Sequence, residues 1–151
     1  MAYSTRNPNG QATMANSMPV VVASNQSNLS TVIATTSTDN SLLASKTICA
    51  ASTNATSIKG SAGKIYRIDA FNSDTVGYWI KFYNKASAPT VGTDTPVATK
   101  YVPPGGGFVI ESTVGIPYTT GIAIAATLLA TDADTTAVTN ANKLVINLRY
   151  I

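Results

Sequence analysis

Residues 64 to 84 read KIYRIDAFNSDTVGYWIKFYN, and this stretch decides the fold class. β-branched and aromatic residues crowd its two halves, 64–72 and 77–84, while Ser73-Asp74-Thr75-Val76 between them carries turn formers. Successive side chains of a strand point to opposite faces, so Tyr78, Ile80 and Phe82 fall on one side and Trp79, Lys81 and Tyr83 on the other. The first set is the more apolar. The reading is two strands with a connection short enough for a hairpin.

The same signals recur outward from this stretch. Residues 97–102, 108–114, 122–129 and 144–151 are strand-like runs, separated by Pro103-Pro104-Gly105-Gly106-Gly107, by Pro117 and by an Asp/Thr/Asn-rich segment. In the last run Leu144, Ile146, Leu148 and Tyr150 alternate with Val145, Asn147 and Arg149, the period of a half-buried strand. Residues 121–130 (GIAIAATLLA) are apolar enough for a short buried helix, but the Ile-x-Ile alternation and Thr127 favour a strand. Short strands with regular turn signals over residues 41–151 predict an all-β domain, a β-sandwich of the jelly-roll kind.

Residues 1–40 differ in character, being dominated by Ser, Thr, Asn, Gln and Ala. Two apolar patches interrupt them, residues 18–23 (MPVVVA) and 31–35 (TVIAT). Pro19 pushes the residue before it toward an extended conformation, and the valines that follow favour a strand in need of a partner sheet. The segment reads as an extended N-terminal arm. Pro19, Val20, Val21 and Val22 are its candidate assembly residues, and Tyr78 and Trp79 are further contact candidates on the domain.

Composition points toward assembly. A chain of 151 residues allows one domain with an appendage, and 44% hydrophobic residues supply a core. Only 11% of residues are charged, against roughly 25% in an average soluble domain. A neutral polar surface offers little charge repulsion between copies and few long side chains to immobilise at a contact. The net charge of +3 comes from ten basic and seven acidic residues, and the basic ones form no run of the kind that displaces counterions from phosphates; no nucleic-acid partner is expected. No apolar run reaches the roughly 20 residues of a membrane helix, so no membrane partner is expected either. The opening MAYSTRNPNGQ has no secretory-signal pattern, which leads to an expectation of synthesis in a cytoplasm. Cys49 is alone, and a buried small hydrophobe is its expected role.

The residues of catalysis are sparse. There is no histidine, the commonest general base and transition-metal ligand near neutral pH. Glu111 is the sole glutamate; together with Asp69 it is the one pair that a strand layout brings toward a glycosidase arrangement. Thr131-Asp132-Ala133-Asp134-Thr135-Thr136 resembles the start of a calcium loop but lacks its glycine and distal glutamate, so turn chemistry explains it more simply. The Pro103–Gly107 segment lacks the Lys and Ser/Thr of a phosphate loop and reads as a turn. A non-enzymatic role is expected, with no catalytic, cofactor-binding or metal-ligating residue and no cofactor.

Two passages carry a resemblance. Residues 19–27 (PVVVASNQS) are similar to a PVxxASxQS segment that recurs in virion proteins of tailed bacteriophages. Residues 81–97 (KFYNKASAPTVGTDTPV), with residues 51–59 (ASTNATSIK), Thr120-Gly121-Ile122-Ala123 and the later Asp132-Ala133-Asp134-Thr135, resemble small phage structural proteins with a C-terminal β domain. The resemblance implies a β-sandwich, often trimeric, that decorates or joins parts of a particle. It implies a capsid decoration (cement) protein anchored through residues 1–40 to the major capsid protein or an adjacent copy, located in the virion after assembly in the host cytoplasm. The alternative it implies is a tail-fibre or baseplate module that contacts host glycans through Trp79, Tyr78 or Tyr83.

Overall fold

In a computed structural model that describes residues 42–151, there are eight strands: β1 (Leu43–Ile48), β2 (Thr56–Lys59), β3 (Gly63–Asn72), β4 (Tyr78–Asn84), β5 (Ala98–Val102), β6 (Gly107–Tyr118), β7 (Ile122–Thr127) and β8 (Leu144–Tyr150), of which β3 to β8 fall on the six runs of β-branched and aromatic sequence and β1 and β2 on none of them. No helix occurs among the described residues. The strands make two antiparallel sheets, a first of order β1-β8-β3-β6 and a second of order β2-β7-β4-β5. β1 pairs with β8, β2 with β7, β3 with β6 and β4 with β5, as in a long hairpin rolled up so that its rungs alternate between sheets. That is the winding of a jelly roll.

One apolar core fills the space between the sheets. Ile65, Ile68, Ala70, Leu144, Ile146 and Leu148 enter from the first sheet, and Tyr78, Ile80, Phe82, Val102, Ile122 and Ile124 from the second. The predicted strand at residues 121–130 is present as β7, and all six of its residues are buried. A strand covered on both faces reads as a continuous apolar run rather than an alternating one, which is why its sequence also suits a buried helix.

The two segments of 64–84 are both strands, yet they are not a hairpin. β3 pairs with β6 and β8, while β4 pairs with β5 and β7 in the other sheet. Residues 73–77 carry the chain across the end of the sandwich. Asn72, fully buried, holds this crossing: its Nδ2 donates to the carbonyls of Val76 (2.8 Å) and Pro103 (3.2 Å), and its Oδ1 accepts from the Asp74 amide (2.9 Å). The Asp74 carboxylate accepts from the Tyr78 hydroxyl, from Asn140 Nδ2 and from the Thr75 amide. These hydrogen bonds, the Tyr78 one first, hold its pKa below the usual carboxylate range.

The outer face of the second sheet is covered by the chain's own connections. Tyr83, Ala123 and Ala125 point away from the main core and form a second buried cluster, with Val91 from the β4–β5 connection and Ala55 packed against it. Beside them lies Lys81, 0% exposed. Its ammonium donates to the carbonyls of Thr131 (2.7 Å) and Asp134 (3.1 Å) in the β7–β8 connection. The alternation in β4 is therefore as expected, but its less apolar side is buried as well.

Candidate functional site

Among the described residues no such covering lies on the first sheet, and register places its outward side chains in three rows. Nearest the β3–β4 crossing the row runs Ile48, Val145, Phe71, Gly107 across β1, β8, β3 and β6. The middle row is Lys46, Asn147, Asp69, Val109, and the third is Ala44, Arg149, Arg67, Glu111. Each row is two residues from the next, so all three share one face.

The first row, together with Val109 beside it in the middle row, is apolar where a solvated face is ordinarily polar. Ile48 is 51% exposed, Phe71 54% and Val109 58%, and Val145, between Ile48 and Phe71, is half-buried. Together they form an apolar strip that crosses the sheet. Beyond it the face is charged. Arg67 pairs with Glu111, both side chains well exposed, and Asn147 Nδ2 donates to Asp69 at 3.3 Å. A shallow depression of about 600 Å³ lies over Lys46, Arg67, Asp69, Asn147 and Arg149, floored by Ala44 and Ser45. Among the described residues, neither Lys46 nor Arg149 is in an ion pair. An apolar centre with a charged margin is the make-up of a protein-contact surface.

Two glycines shape this face. A Cβ on Gly107 would lie 2.1 Å from the Ala70 carbonyl oxygen, so β6 approaches β3 more closely there than any other residue allows. Gly115, at φ +75°, sits in the irregular stretch of β6 opposite Tyr66, where the register between β3 and β6 shifts.

The residues singled out from the sequence fall differently. Pro19, Val20, Val21 and Val22 lie outside the described residues. Tyr78 is not available as a contact: it is fully buried, with its hydroxyl between Asp74 and Thr139 (2.7 Å to Thr139 Oγ1). Its side of β4 is the core side. Tyr83 is buried on the opposite side, and its hydroxyl has no partner among the described residues. Trp79 is half-buried and packs against Tyr101 of β5, ring centres 4.9 Å apart at 43°. Asp69 and Glu111 do share one face, as anticipated, and each is engaged there, with Asn147 and Arg67 respectively.

The aspartate-rich loop has turned inward on its own chain. Asp134 accepts from the amides of Leu129 (2.8 Å) and Thr136 (3.0 Å), while the loop's carbonyls hold the Lys81 ammonium. Burial pulls the pKa of the Lys81 ammonium below its ordinary value, partly offset by Asp134 and Asp132. Among the described residues, no group of three His, Cys, Asp or Glu side chains gathers as a metal site. Cys49 is buried, as expected, and burial pushes its thiol up to about 12.

The apolar strip went unnoticed in the sequence although its signal is there. Phe71 has the same parity as Asp69 and Arg67, Val109 the parity of Glu111, and Val145 that of Asn147 and Arg149. In each strand a large apolar residue ends an otherwise polar face. No family model matches the chain, and neither a curated protein nor a solved structure does.

Proposed function

We propose that this chain is a non-enzymatic structural protein of a tailed-bacteriophage virion, a capsid decoration protein that binds and stabilises the shell through residues 1–40. The observation that carries the reading is the inequality of the two outer faces. One is plated by the chain's own connections, and the other, among the described residues, presents the strip of Ile48, Val145, Phe71 and Val109 uncovered. A domain that finishes one face and leaves an apolar strip on the other is built to be one part of an assembly. The low charge of the chain and the phage-like passages at residues 19–27 and 81–97 support the same reading. The strand-forming patch Pro19-Val20-Val21-Val22 supplies an anchoring element of the kind that adds to a neighbour's sheet, where main-chain hydrogen bonds bind and alternate side chains specify.

Deleting residues 1–40 is expected to leave a folded domain, read by an unchanged cooperative thermal transition, that no longer cosediments with particles. Full particle binding by the truncated chain would refute the anchoring role. A tail-fibre or baseplate module is the second reading, favoured by the tilted Trp79–Tyr101 pair, in which Tyr101 is 45% exposed and suited to a sugar ring. Copy number separates the two, hundreds per particle for the shell and tens for a tail part.

A further inference from the structure

We propose that the depression over Lys46, Arg67, Asp69, Asn147 and Arg149 binds an acidic sugar, its carboxylate held by the cations and its hydroxyls by Asp69 and Asn147. The inference rests on neither reading of the chain's place in a virion, and the site belongs to the first sheet, whereas Trp79 and Tyr101 belong to the second. It rests on a register that the fold alone does not reward. Arg67 of β3 and Arg149 of β8 stand directly opposite each other, and like charges so placed on neighbouring strands destabilise a sheet. Both side chains are outward and exposed. A β-bulge at Tyr66 delivers Arg67 to that place, since the register of β3 shifts between Ile65 and Arg67 against both β6 and β8. Bulges re-aim side chains in this way and gather next to functional sites. Lys46 of β1, level with Asn147, brings a third cation to the same depression. Glu111 pairs with Arg67 from the β6 side, but a guanidinium has more donors than one carboxylate takes up. Among the described residues Lys46 and Arg149 are in no ion pair. An oxyanion between the two guanidinium groups turns the unfavourable register into a clamp of charge-assisted hydrogen bonds.

The rest of the lining selects the kind of oxyanion. Asp69 and Asn147 are half-buried in the same depression, and Asn147 Nδ2 donates to Asp69 Oδ1 at 3.3 Å. That bond leaves Asp69 Oδ2 and Asn147 Oδ1 to accept from a ligand, beside the cations. A sulfate ion or an acidic side chain satisfies the arginines and faces Asp69 as a like charge, with no donor between them. A uronic acid brings a carboxylate to the arginines and hydroxyl donors to Asp69 and Asn147. Volume agrees: about 600 Å³ lies within the roughly 300–1,000 Å³ of small-ligand sites and accommodates a sugar ring.

The test is a titration of the full chain, followed by two-dimensional NMR of its backbone amides, with three probes at matched ionic strength: glucuronate, glucose and glutarate. Glucose has the hydroxyls without the carboxylate, and glutarate carries carboxylates without the hydroxyls. Glucuronate is expected to give saturable shifts centred on the amides of residues 46, 67, 69, 147 and 149, at lower concentration than either of the others. Arg149→Gln removes one guanidinium and is expected to weaken glucuronate binding about tenfold. Asp69→Ala removes the hydroxyl acceptor and the like charge together, so it is expected to narrow the preference for glucuronate over glutarate. Both substitutions change outward side chains and are expected to leave the thermal transition in place. The proposal is overturned by the absence of saturable shifts at these residues, by glucose or glutarate saturating as tightly as glucuronate, by unchanged affinity in Arg149→Gln, or by an unchanged preference in Asp69→Ala. Equal binding of glutarate would assign the arginines to an acidic side chain of a protein partner instead. Particle binding is scored separately, so loss of either reading leaves the other legible.

Discussion

Lys81 shows how far a residue's role departs from its type. Lysine is rarely fully buried without a partner, yet this one lies under the β7–β8 connection with carbonyls, not carboxylates, around its ammonium. It replaces turns of hydrogen bonding that the loop cannot complete alone. Lys81→Met keeps the stem and removes the donor, leaving buried carbonyls unsatisfied, so it is expected to cost about 1–3 kcal/mol. Urea denaturation measures that loss, and hydrogen exchange is expected to rise in residues 128–136 first. Cys49 offers a test by pH. Its thiol titrates near 9.0 in an ordinary setting and near 12 in the folded chain, where burial disfavours the thiolate. The folded state therefore holds the proton more tightly, and stability present below pH 9 drains away as pH rises toward 12. Cys49→Ala is expected to flatten the decline in unfolding free energy over that window. The buried Tyr118 phenol, also pushed to about 12, leaves a residual slope in both proteins.

At the scale of elements, period-2 alternation made β4 and β8 legible because one face of each is more apolar than the other. The partner of β4 was not legible. A four-residue link between two strand-like runs is compatible with a hairpin, and nothing local distinguishes it from a crossing between sheets. The difference lies in Asn72 and Asp74, whose side chains capture backbone groups from residues 76, 103 and 75, contacts that need the rest of the fold in place. The glycine run at 105–107 was read rightly as a turn, but its three members do different work. Gly105, at φ +63°, has open space around it, so Gly105→Ala meets only the left-handed backbone cost of about 1–2 kcal/mol. Gly105→Asn is expected to recover part of that. Gly107→Ala drives a methyl into the Ala70 carbonyl and forces β6 away from β3, an overpacking cost of about 1–3 kcal/mol. Chemical denaturation of the three variants separates the two mechanisms, since only the Gly107 change is expected also to speed exchange in the β3–β6 ladder.

At the scale of the molecule, the sequence read correctly as a sandwich because six runs carry strand chemistry and turn formers divide them; β1 (LASKTI) and β2 (TSIK), short and rich in polar residues, were not legible as strands. Which outer face would be covered was invisible in it. That depends on where the β4–β5 and β7–β8 connections come to rest, and their Asp, Thr and Ala residues suit a solvated loop as well as a covering layer. Consequently Tyr78 and Tyr83 drew attention as contacts, while the strip of Ile48, Phe71, Val109 and Val145 did not. The two faces differ: connections of the chain cover one, while among the described residues the other leaves Ile48, Phe71 and Val109 exposed. The central claim is that this chain is a repeated part of a viral shell. Immunogold labelling of virions with an antibody raised against the full chain tests it most directly. The account expects regularly spaced label over the capsid at hundreds of copies per particle; label confined to the tail, or absent from purified virions, would contradict it.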